Sequence, residues 1–476
     1  MSVRNDVRAL NRTTARVRPA APVRMVHIGL GAFHRSHQAW YTEQADPKHE
    51  WGIAAFTGRS QEAATTLAAQ DGLYTLVERG DDGDNFSVIA SISAAFDGKD
   101  LRRLTSVLSA PETALMTITI TEPAYHLGPD GLLDVSAPAV AADARALNDV
   151  WARVGSLDVE DGYPQLATMG ARVLPGLDAR RRTNAGPLAV VPCDNLGSNG
   201  AAAFQAIAGL AALVSTELAD WIAENVSFVS TSVDRITPRT TEPDIVTVRE
   251  ATGFADAAPV IAEPFSNWVL SGKFPAGRPD WENAGAYFVE DIAPFEQRKL
   301  WLLNGAHSLL AYTGQLRGLR TVAEAVTDPS CAAELEMFWN EAAAHLHQPE
   351  LDIPAYREAL LSRFRNGRIE HLLGQIGADG STKLRMRAVP VLIAERSAGR
   401  TGEGAARIVA AWIDYLVQLH VDGARPADAE ADLLVLIGIL ELSGKTITRA
   451  LVTALSADLG ADGAVVNLVH SLRGNW

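Results

Sequence analysis

A segment near the middle of the chain places four polar side chains at helical spacing within an otherwise apolar stretch. The segment is PFEQRKLWLLNGAHSLLAY, residues 294–312. If it forms an α-helix with Lys299 at 0°, the other three polar side chains share its face, with Glu296 at about 60°, His307 at about 80° and Asn304 at about 140°. The alternative is that this face is only the solvent side of an amphipathic helix.

The opposite side of the same helix is predicted to pack into the surrounding domain. It carries the apolar residues Trp301, Leu302, Leu309 and Tyr312. Gly305 lies inside the segment, where a glycine weakens a helix by about 1 kcal/mol relative to alanine. We therefore expect another element to pack closely against Gly305.

The residue types on the polar face suit the oxidation of a secondary alcohol. Such a reaction needs a base for the hydroxyl proton while a hydride leaves for a nicotinamide ring, and it needs donors for the developing oxyanion. A lysine that is desolvated in a cleft, near a cationic cofactor ring, has its pKa lowered and can act as this base. Asn304 could donate to the oxygen, and His307 could hold a neighbouring hydroxyl or tune Lys299.

Two further candidates follow predicted strands in the first half of the chain. Asn195 comes after the run PLAVVPC, and Asp234 comes after the run VSFVSTSV. Ligands of open α/β sheets bind at the carboxyl ends of strands, so Asn195 could be a second oxyanion donor. Asp234 could orient Lys299 or a substrate hydroxyl. Turn capping is the alternative for both side chains.

A glycine-containing turn predicts a dinucleotide site near the amino terminus. Gly29 and Gly31 follow the strand-like run RMVHIG and open a helical pattern, where backbone N–H groups can approach a pyrophosphate. His34 stands where the usual motif has its third glycine, so a plain strand-to-helix turn is the alternative. Phe33 and His34 are candidate cofactor contacts or interface residues.

The end of the second predicted strand leaves the cofactor open between NAD and NADP. NAD-binding proteins usually have an acidic residue there, which binds the ribose 2′-hydroxyl. Here the strand runs into Arg59 and Ser60, and Glu62 lies slightly beyond. Arg59 and Ser60 could hold a 2′-phosphate, although Arg59 could equally stack on the adenine or lie in solvent. NAD is the expected cofactor, with NADP not excluded.

The elements that must position these residues form two predicted domains. Short apolar runs alternate with helical patterns in the first half, as in a parallel sheet covered by helices. GLYTLVERG and FSVIASISAAF are predicted to form an appended hairpin. From about Phe295 the hydrophobic period changes to about 3.6 residues. We predict an α/β, Rossmann-type domain over 1–285 and a mainly α-helical domain over 286–476.

Composition narrows the class of partner. The 476 residues are too many for one core, and 47% hydrophobic with 21% charged residues is typical of a soluble globular protein. A net charge of −15 disfavours nucleic acid and anionic membranes, so a small molecule is expected. Cys193 and Cys331 are too few for a disulfide framework or a cysteine-built zinc site, and they fit a reducing cytoplasm.

The composition of the amino terminus and the hydropathy of the chain both bear on this cytoplasmic expectation. The arginine-rich first 24 residues overlap in composition with an organellar transit peptide, but a short amphipathic lead-in to the first strand is the favoured interpretation. No stretch approaches the roughly 18 apolar residues that a membrane span needs.

Five motifs together resemble the mannitol dehydrogenase family, the polyol-specific long-chain dehydrogenases that include fructuronate reductases and arabinitol dehydrogenases. They are GLGAFHRSHQAWYT (29–42), TITEPAYHL (119–127), CDNLGSNG (193–200), STSVDRITPR (230–239) and KLWLLNGAHS (299–308). The family fold is a Rossmann-type domain followed by a mainly helical one. Members are often monomeric, so we expect a monomer or a weak homodimer.

The resemblance also implies a role for each candidate residue. It implies Lys299 as the general base, with the two amides Asn195 and Asn304 as the oxyanion hole. It implies that His307 and Asp234 orient the substrate, that Glu296 gates a proton path to Lys299, and that no zinc takes part.

Substrate choice depends on the segment RFRNGRIEHLLGQIGADGSTKL, residues 363–384. It resembles a family segment that contributes a lysine, matched by Lys383, and a polar residue eight positions earlier, which is Gln375. Mannitol and arabinitol dehydrogenases tend to have arginine at that earlier position, whereas the QIxxDGSxKL form resembles fructuronate reductases.

This comparison predicts a sugar acid as the substrate. Lys383 with Arg385 or Arg387 could receive a carboxylate, although a solvated helix face is the alternative for either arginine. We expect D-mannonate/D-fructuronate interconversion, with D-mannitol/D-fructose or arabinitol as alternatives. A non-catalytic nucleotide sensor and a metal-dependent alcohol dehydrogenase are the alternatives from other classes.

Overall fold

The structure is a computed structural model that describes residues 7–58, 60–157, 162–428, 430–432, 434–435 and 444–476. The chain divides into two compact units, unit 1 over 1–293 and unit 2 over 294–476. The predicted fold class is confirmed, with a parallel sheet in unit 1 and helices in unit 2. Arg59, a predicted cofactor contact, lies outside the described residues.

Strands are confined to unit 1 in the described part of the chain. In chain order they are β1 Arg8–Ala9, β2 Val23–Ile28, β3 Gly52–Phe56, β4 Tyr74–Gly80, β5 Gly83–Ile89, β6 Ile92–Phe96, β7 Leu115–Ile118, β8 Leu188–Pro192, β9 Val226–Phe228, β10 Ser230–Asp234, β11 Phe254–Ala255, β12 Val260–Ala262, β13 Asn267–Ser271 and β14 Tyr287–Phe288.

The central sheet of unit 1 has six parallel strands in the order β6-β3-β2-β7-β8-β9. The strands β3, β7 and β8 are buried along their whole length, as expected when helices cover both faces of a parallel sheet. The strand order reverses beside β2, which places the turn after β2 at the topological switch point where ligands bind.

The helices of unit 1 cover both faces of this sheet. One core surrounds Val26 and Phe56, and a second core on the other face surrounds Tyr41 and Trp268. The α-helices are Arg12–Ala15, Ala32–Ser36, Gln38–Ala45, Glu62–Ala69, Leu101–Leu108, Pro138–Val154, Met169–Thr183, Asn199–Ala212, Thr216–Asn225 and Glu242–Thr252, and the 3₁₀ turns are Glu122–Tyr125 and Trp281–Ala284.

Three small sheets accompany the central one, and two of them differ from the prediction. The hairpin of β4 and β5 is confirmed. Its second strand was predicted to run through FSVIASISAAF, but this segment forms two strands. The chain turns after Ile89, and β6 joins the central sheet instead of the hairpin. The run 226–233 also divides. Val229 still donates its N–H to Val190 in the central sheet, whereas Ser230 and its successors pair with β13.

The elements of unit 2 are all helices among its described residues, and loops join them. The helix Gly305–Leu316 packs against Pro329–Ala343 and Glu403–Val421. No described helix has the length and hydropathy to cross a bilayer. The other helices are Ala293–Arg298, Lys299–Asn304, Val322–Thr327, Pro349–Leu351, Ile353–Arg365, Leu373–Ile376, Gly380–Arg387, Val389–Ser397, Gly444–Leu455, Ala457–Ala461 and Gly463–Leu472.

Candidate active site

Lys299 and Asn304 lie at the two ends of a π-helical segment, Lys299–Asn304. This segment joins the α-helical turn before it to the helix Gly305–Leu316. The Gly305 N–H donates to the Leu300 carbonyl, five residues back, instead of to the carbonyl four residues back. The prediction of an uninterrupted α-helix is therefore wrong. Short π-helical segments within α-helices often lie at functional sites.

The π segment narrows the polar face that the α-helical wheel predicts. One extra residue in a turn takes up about 100° of rotation, so Asn304 moves to about 40° from Lys299 instead of about 140°. By the same estimate His307 lies at about −20° instead of about 80°. Glu296 precedes the segment and keeps its angle. The four polar residues thus share a narrower face than the sequence predicts.

The opposite side of this helix packs into unit 2 as predicted. Its apolar side chains are buried, namely Trp301, Leu302, Leu309 and Tyr312. Close packing at Gly305 is also confirmed, since a Cβ there would lie 2.6 Å from Cε1 of Phe338. The buried side thus anchors the helix that carries the four polar residues.

A cavity of about 260 Å³ lies beside the polar face within unit 2. It is lined by His307, His371, Gln375, Ile376, Lys383 and Arg387. The structure thus brings His307 together with Gln375 and Lys383, which the sequence analysis assigned to substrate binding. His371 was missed, because no spacing relates it to the helix that carries His307.

The two histidines of this cavity are held in their neutral form. Their rings meet edge to face with centroids 4.8 Å apart. Burial lowers the pKa of His307 well below its usual value, and the neighbouring His371 and Arg363 lower it further. Burial also lowers the pKa of His371, again with a contribution from Arg363. A neutral imidazole has one donor and one acceptor nitrogen, which suits recognition of a hydroxyl.

Two cations, Lys383 and Arg387, line the same cavity, and no carboxylate among the described residues forms an ion pair with either. Burial lowers the pKa of Lys383, and it lowers the pKa of Arg387 to about 10. Asp379 and Asp428 oppose part of the shift on Lys383, but neither forms an ion pair with it. The Lys383 ammonium donates to the Ile376 carbonyl at 3.0 Å. Partly desolvated cations that lack a counter-ion favour the binding of an anion.

Arg385 was predicted to bind the substrate, but its side chain is paired with an acidic residue outside the cavity. Its guanidinium forms a bidentate ion pair with Glu430, at 2.6 and 2.9 Å, and donates to the Ala454 carbonyl at 2.6 Å. Side chains two positions apart on a helix point about 200° apart, so Arg385 and Arg387 cannot face the same cavity. Arg387 lines it and Arg385 does not, which corrects the choice of Arg385.

In unit 1, the turn after β8 is fixed by Asp194 beside Asn195. The Asp194 carboxylate accepts from the Tyr125 hydroxyl and, at 2.9 Å, from the Leu196 N–H. Burial raises the pKa of Asp194. Asn195 is exposed next to this buried acid. The turn therefore presents the Asn195 side chain at the carboxyl end of the sheet, while its role as an oxyanion donor stays a prediction.

Asp234 is the last residue of β10, where it pairs with Asn267 of β13, and it is buried. The next residue, Arg235, holds the backbone in place. Its guanidinium contacts Glu78 at 2.6 Å and donates to the Ser36 carbonyl at 2.6 Å. This packing fixes the strand end that carries Asp234.

The glycine turn after β2 has the form that a pyrophosphate site needs. Gly29 has φ +104°, and a Cβ there would lie 1.9 Å from the Thr119 carbonyl oxygen, so only glycine fits. Gly31 begins the helix Ala32–Ser36, and a Cβ on it would meet only the Gly29 oxygen at 3.5 Å. The turn is closed behind Gly29 and open at Gly31, which fits the approach of a dinucleotide.

His34, a predicted cofactor contact, is a structural residue instead. Its side chain is fully buried, and its ring stacks on that of His27 with centroids 3.3 Å apart. A ring without accessible surface cannot touch a cofactor, so that prediction is wrong. Phe33 is half-buried and stacks on His37, and its predicted contact stays a prediction.

A groove of about 510 Å³ lies between the glycine turn and the end of β3. Ser60 and Glu62, which the sequence analysis considered at this strand end, both line it. Arg239 also lines the groove and was missed, because it comes from the loop after β10. An acidic side chain at this place suits a ribose hydroxyl, as NAD requires.

Comparison with known proteins assigns both units. Residues 23–283 match the family model of the mannitol dehydrogenase Rossmann domain, and residues 291–459 match that of the mannitol dehydrogenase C-terminal domain. D-mannonate oxidoreductase of Escherichia coli is 35% identical over 82% of this chain and 79% of its own length. Mannitol 2-dehydrogenase of Cereibacter sphaeroides is 33% identical, over 82% and 80%.

Solved structures agree with this assignment. Pseudomonas fluorescens mannitol 2-dehydrogenase, in a ternary complex with NAD and D-mannitol, superposes with a TM-score of 0.78 at 31% identity, covering 98% of this chain and 96% of that one. The two family models together match most of the chain, and the two relatives match it over about four fifths of their own length. The chain belongs to the mannitol dehydrogenase family, whose members are NAD-dependent dehydrogenases that act on CH–OH groups.

Proposed function

We propose that the protein interconverts D-mannonate and D-fructuronate with NAD as the cofactor. The observation that carries this choice is the cavity beside His307, where Lys383 and Arg387 have no carboxylate partner among the described residues. A neutral polyol offers these cations no charge, whereas a sugar carboxylate forms charge-assisted hydrogen bonds with both. The similarity to D-mannonate oxidoreductase supports the same choice.

The proposed chemistry assigns one task to each residue of the catalytic helix. Lys299 accepts the proton of the substrate hydroxyl as the general base. Asn304 donates to the oxyanion that develops on that oxygen, and His307 orients a neighbouring hydroxyl. When bound, NAD⁺ supplies the hydride acceptor. Glu296 passes the proton between Lys299 and solvent.

The residues of unit 1 are assigned in the same proposal. Asn195 is an oxyanion donor and Asp234 orients the substrate. Gly29 and Gly31 shape the pyrophosphate turn, and Glu62 binds the adenosine ribose. Phe33 is a cofactor contact in this proposal, and Arg59 stays a candidate from the sequence alone. Gln375 binds a substrate hydroxyl, next to the carboxylate held by Lys383.

A panel of steady-state rates tests the proposed substrate. D-mannonate, D-mannitol and D-arabinitol are assayed with NAD⁺ and NADP⁺, and D-fructuronate and D-fructose with the reduced cofactors. We expect kcat/KM for D-mannonate to exceed that for D-mannitol by about 100-fold, since a charged hydrogen bond contributes about 1.5–3 kcal/mol. A preference for D-mannitol or D-arabinitol would overturn the assignment of a sugar acid.

Two controls accompany this panel. Lys383→Met is expected to raise KM for D-mannonate, because it removes one of the two cations that hold the carboxylate. Added chelator is expected to leave the rate unchanged, because the proposed chemistry uses Lys299 and no metal. Absence of turnover with every substrate and cofactor would favour the non-catalytic sensor instead.

A further inference from the structure

Arg387 contacts both the cavity and the catalytic helix. It is the last residue of the helix Gly380–Arg387, and its side chain lines the cavity with Lys383. Its Nη1 donates to the backbone carbonyl of Asn304 at 3.2 Å and to Oγ of Ser308 at 3.1 Å. Its Nε is buried and has no hydrogen-bond partner among the described residues.

The carbonyl that Arg387 contacts belongs to the residue that ends the π segment. Five-residue hydrogen bonds give way to four-residue ones after the Gly305 N–H, and Arg387 adds a charged side-chain donor to the Asn304 carbonyl beside this change. A charged donor makes a stronger bond than a neutral one. The Asn304 side chain starts from the Cα next to this carbonyl, and a fixed peptide plane limits the directions that the amide can take.

We propose that Arg387 is a positioning residue that couples occupancy of the cavity to the placement of Asn304. One guanidinium faces the anion cavity and also holds the peptide of the oxyanion donor. A carboxylate in the cavity restrains that guanidinium, and through it the Asn304 peptide. Part of the binding energy of the charged end of the substrate is then expressed in kcat as well as in KM.

The role of the carboxylate rests on the proposed function, whereas the effect on Asn304 does not. A group that only binds the carboxylate alters KM for sugar acids alone. A group that only stabilises the fold lowers the melting temperature and affects every substrate and the cofactor equally. A positioning residue alters kcat for neutral substrates too, at unchanged cofactor affinity.

The test compares Arg387→Met and Arg387→Lys with the matched control Arg385→Met. Arg385 lies on the same helix but is paired with Glu430 outside the cavity. For each variant, kcat and KM are measured with D-mannonate and with the best neutral substrate of the panel, together with NADH affinity by fluorescence and the melting temperature.

We expect Arg387→Met to lower kcat for the neutral substrate about tenfold or more, with NADH affinity unchanged, as when a transition-state interaction is lost. With D-mannonate, KM should rise as well. Arg387→Lys should restore much of KM for D-mannonate but little of kcat, because a lysine cannot bridge both places as the planar guanidinium does. Arg385→Met should retain both parameters.

Each other result has a definite meaning. An unchanged kcat for the neutral substrate in Arg387→Met would overturn the proposal. Equal losses with all substrates, accompanied by weaker NADH binding and a lower melting temperature, would overturn it in favour of a structural role. If D-mannonate is no substrate but kcat for the neutral substrate falls as expected, the proposed function fails while the role of Arg387 stands.

Discussion

At the scale of single residues, Lys299 is the side chain on which the proposed chemistry depends most. We expect Lys299→Ala to lower kcat by about 10²–10⁴-fold, because the variant lacks a group to accept the alcohol proton. NADH affinity should be nearly unchanged, since the lysine acts on the substrate hydroxyl. Steady-state kinetics and fluorescence titration measure the two quantities. Near-wild-type turnover in this variant would remove Lys299 from the base role.

The sequence predicts individual residues well where one element carries them all. Lys299, Asn304 and His307 share one helix, so their spacing alone groups them. The choice between Arg385 and Arg387 was beyond the sequence, because it depends on Glu430, which pairs with Arg385 from 45 positions away. His371 and Arg239 were missed for the same reason, since tertiary packing alone brings them to the cavity and the groove.

At the scale of elements, the junction of the π segment with the next helix is tightly packed at Gly305. A methyl group there would lie 2.6 Å from the Phe338 ring. We expect Gly305→Ala to lower the free energy of unfolding by about 1–3 kcal/mol, because overpacking outweighs the gain in helix propensity of about 1 kcal/mol. Denaturant unfolding measures the change.

The double variant Gly305→Ala/Phe338→Leu is the control for this prediction. The smaller leucine leaves room for the added methyl group. Adding Gly305→Ala to Phe338→Leu should therefore lower the free energy of unfolding by less than adding it to the wild type does. A Gly305→Ala protein as stable as the wild type would show that the Phe338 ring can move away at no cost.

Substitution of the two glycines in the turn after β2 is expected to have two different effects. Gly29→Ala places a Cβ against the Thr119 carbonyl and in a backbone conformation that alanine rarely adopts, so it should destabilise unit 1. Gly31→Ala has room in the protein and should keep the fold, but in the proposed site its methyl group would meet the pyrophosphate.

Thermal melting and NADH titration distinguish these two outcomes. We expect a lower melting temperature for Gly29→Ala, and a normal melting temperature with weaker NADH binding for Gly31→Ala. Tight NADH binding in Gly31→Ala would place the cofactor away from this turn.

The period of the hydrophobic residues predicts whether a segment is a helix or a strand. It does not show where a strand or helix is interrupted within an apolar run. The run 226–233 looks like one strand because all of its alternate residues suit a sheet, yet the chain changes partner strands at Val229. The π segment is likewise invisible in a pattern of apolar residues. Both changes arise from packing against elements far away in the sequence.

At the scale of the whole molecule, acid should destabilise unit 1 through its stacked histidines. Burial lowers the pKa of His27 to about 3, and it lowers the pKa of His34 well below the usual value of 6.5. The unfolded chain binds protons near pH 6.5, whereas the folded one does not. Stability is therefore complete above pH 6.5 and falls as the pH drops below it, by about 1.4 kcal/mol per pH unit for His27 down to about pH 3. His34 adds to the loss in the same direction.

The variant His34→Leu tests this pH dependence. Neither ring nitrogen of His34 has a hydrogen-bond partner among the described residues, so an apolar side chain of similar size should be tolerated. Melting temperatures between pH 7 and 5 should fall less steeply in this variant than in the wild type. His420→Leu, at an exposed position, is the control. If melting temperature falls equally steeply with pH in the wild type and both variants, the stacked histidines are not the cause of the acid destabilisation.

The π segment has one consequence for engineering that concerns chain length. A helix with one spare residue can lose it and become an ordinary α-helix without turning its second half, because the wider turn already absorbs that residue. Deletion of a single residue between Lys299 and Asn304 should thus leave Lys299, Asn304 and His307 on one face, at the angles that the π segment gives them. An uninterrupted α-helix over the unchanged sequence would instead turn Asn304 and His307 by about 100° relative to Lys299. The catalytic group therefore depends on the wider turn as much as on the identity of its residues.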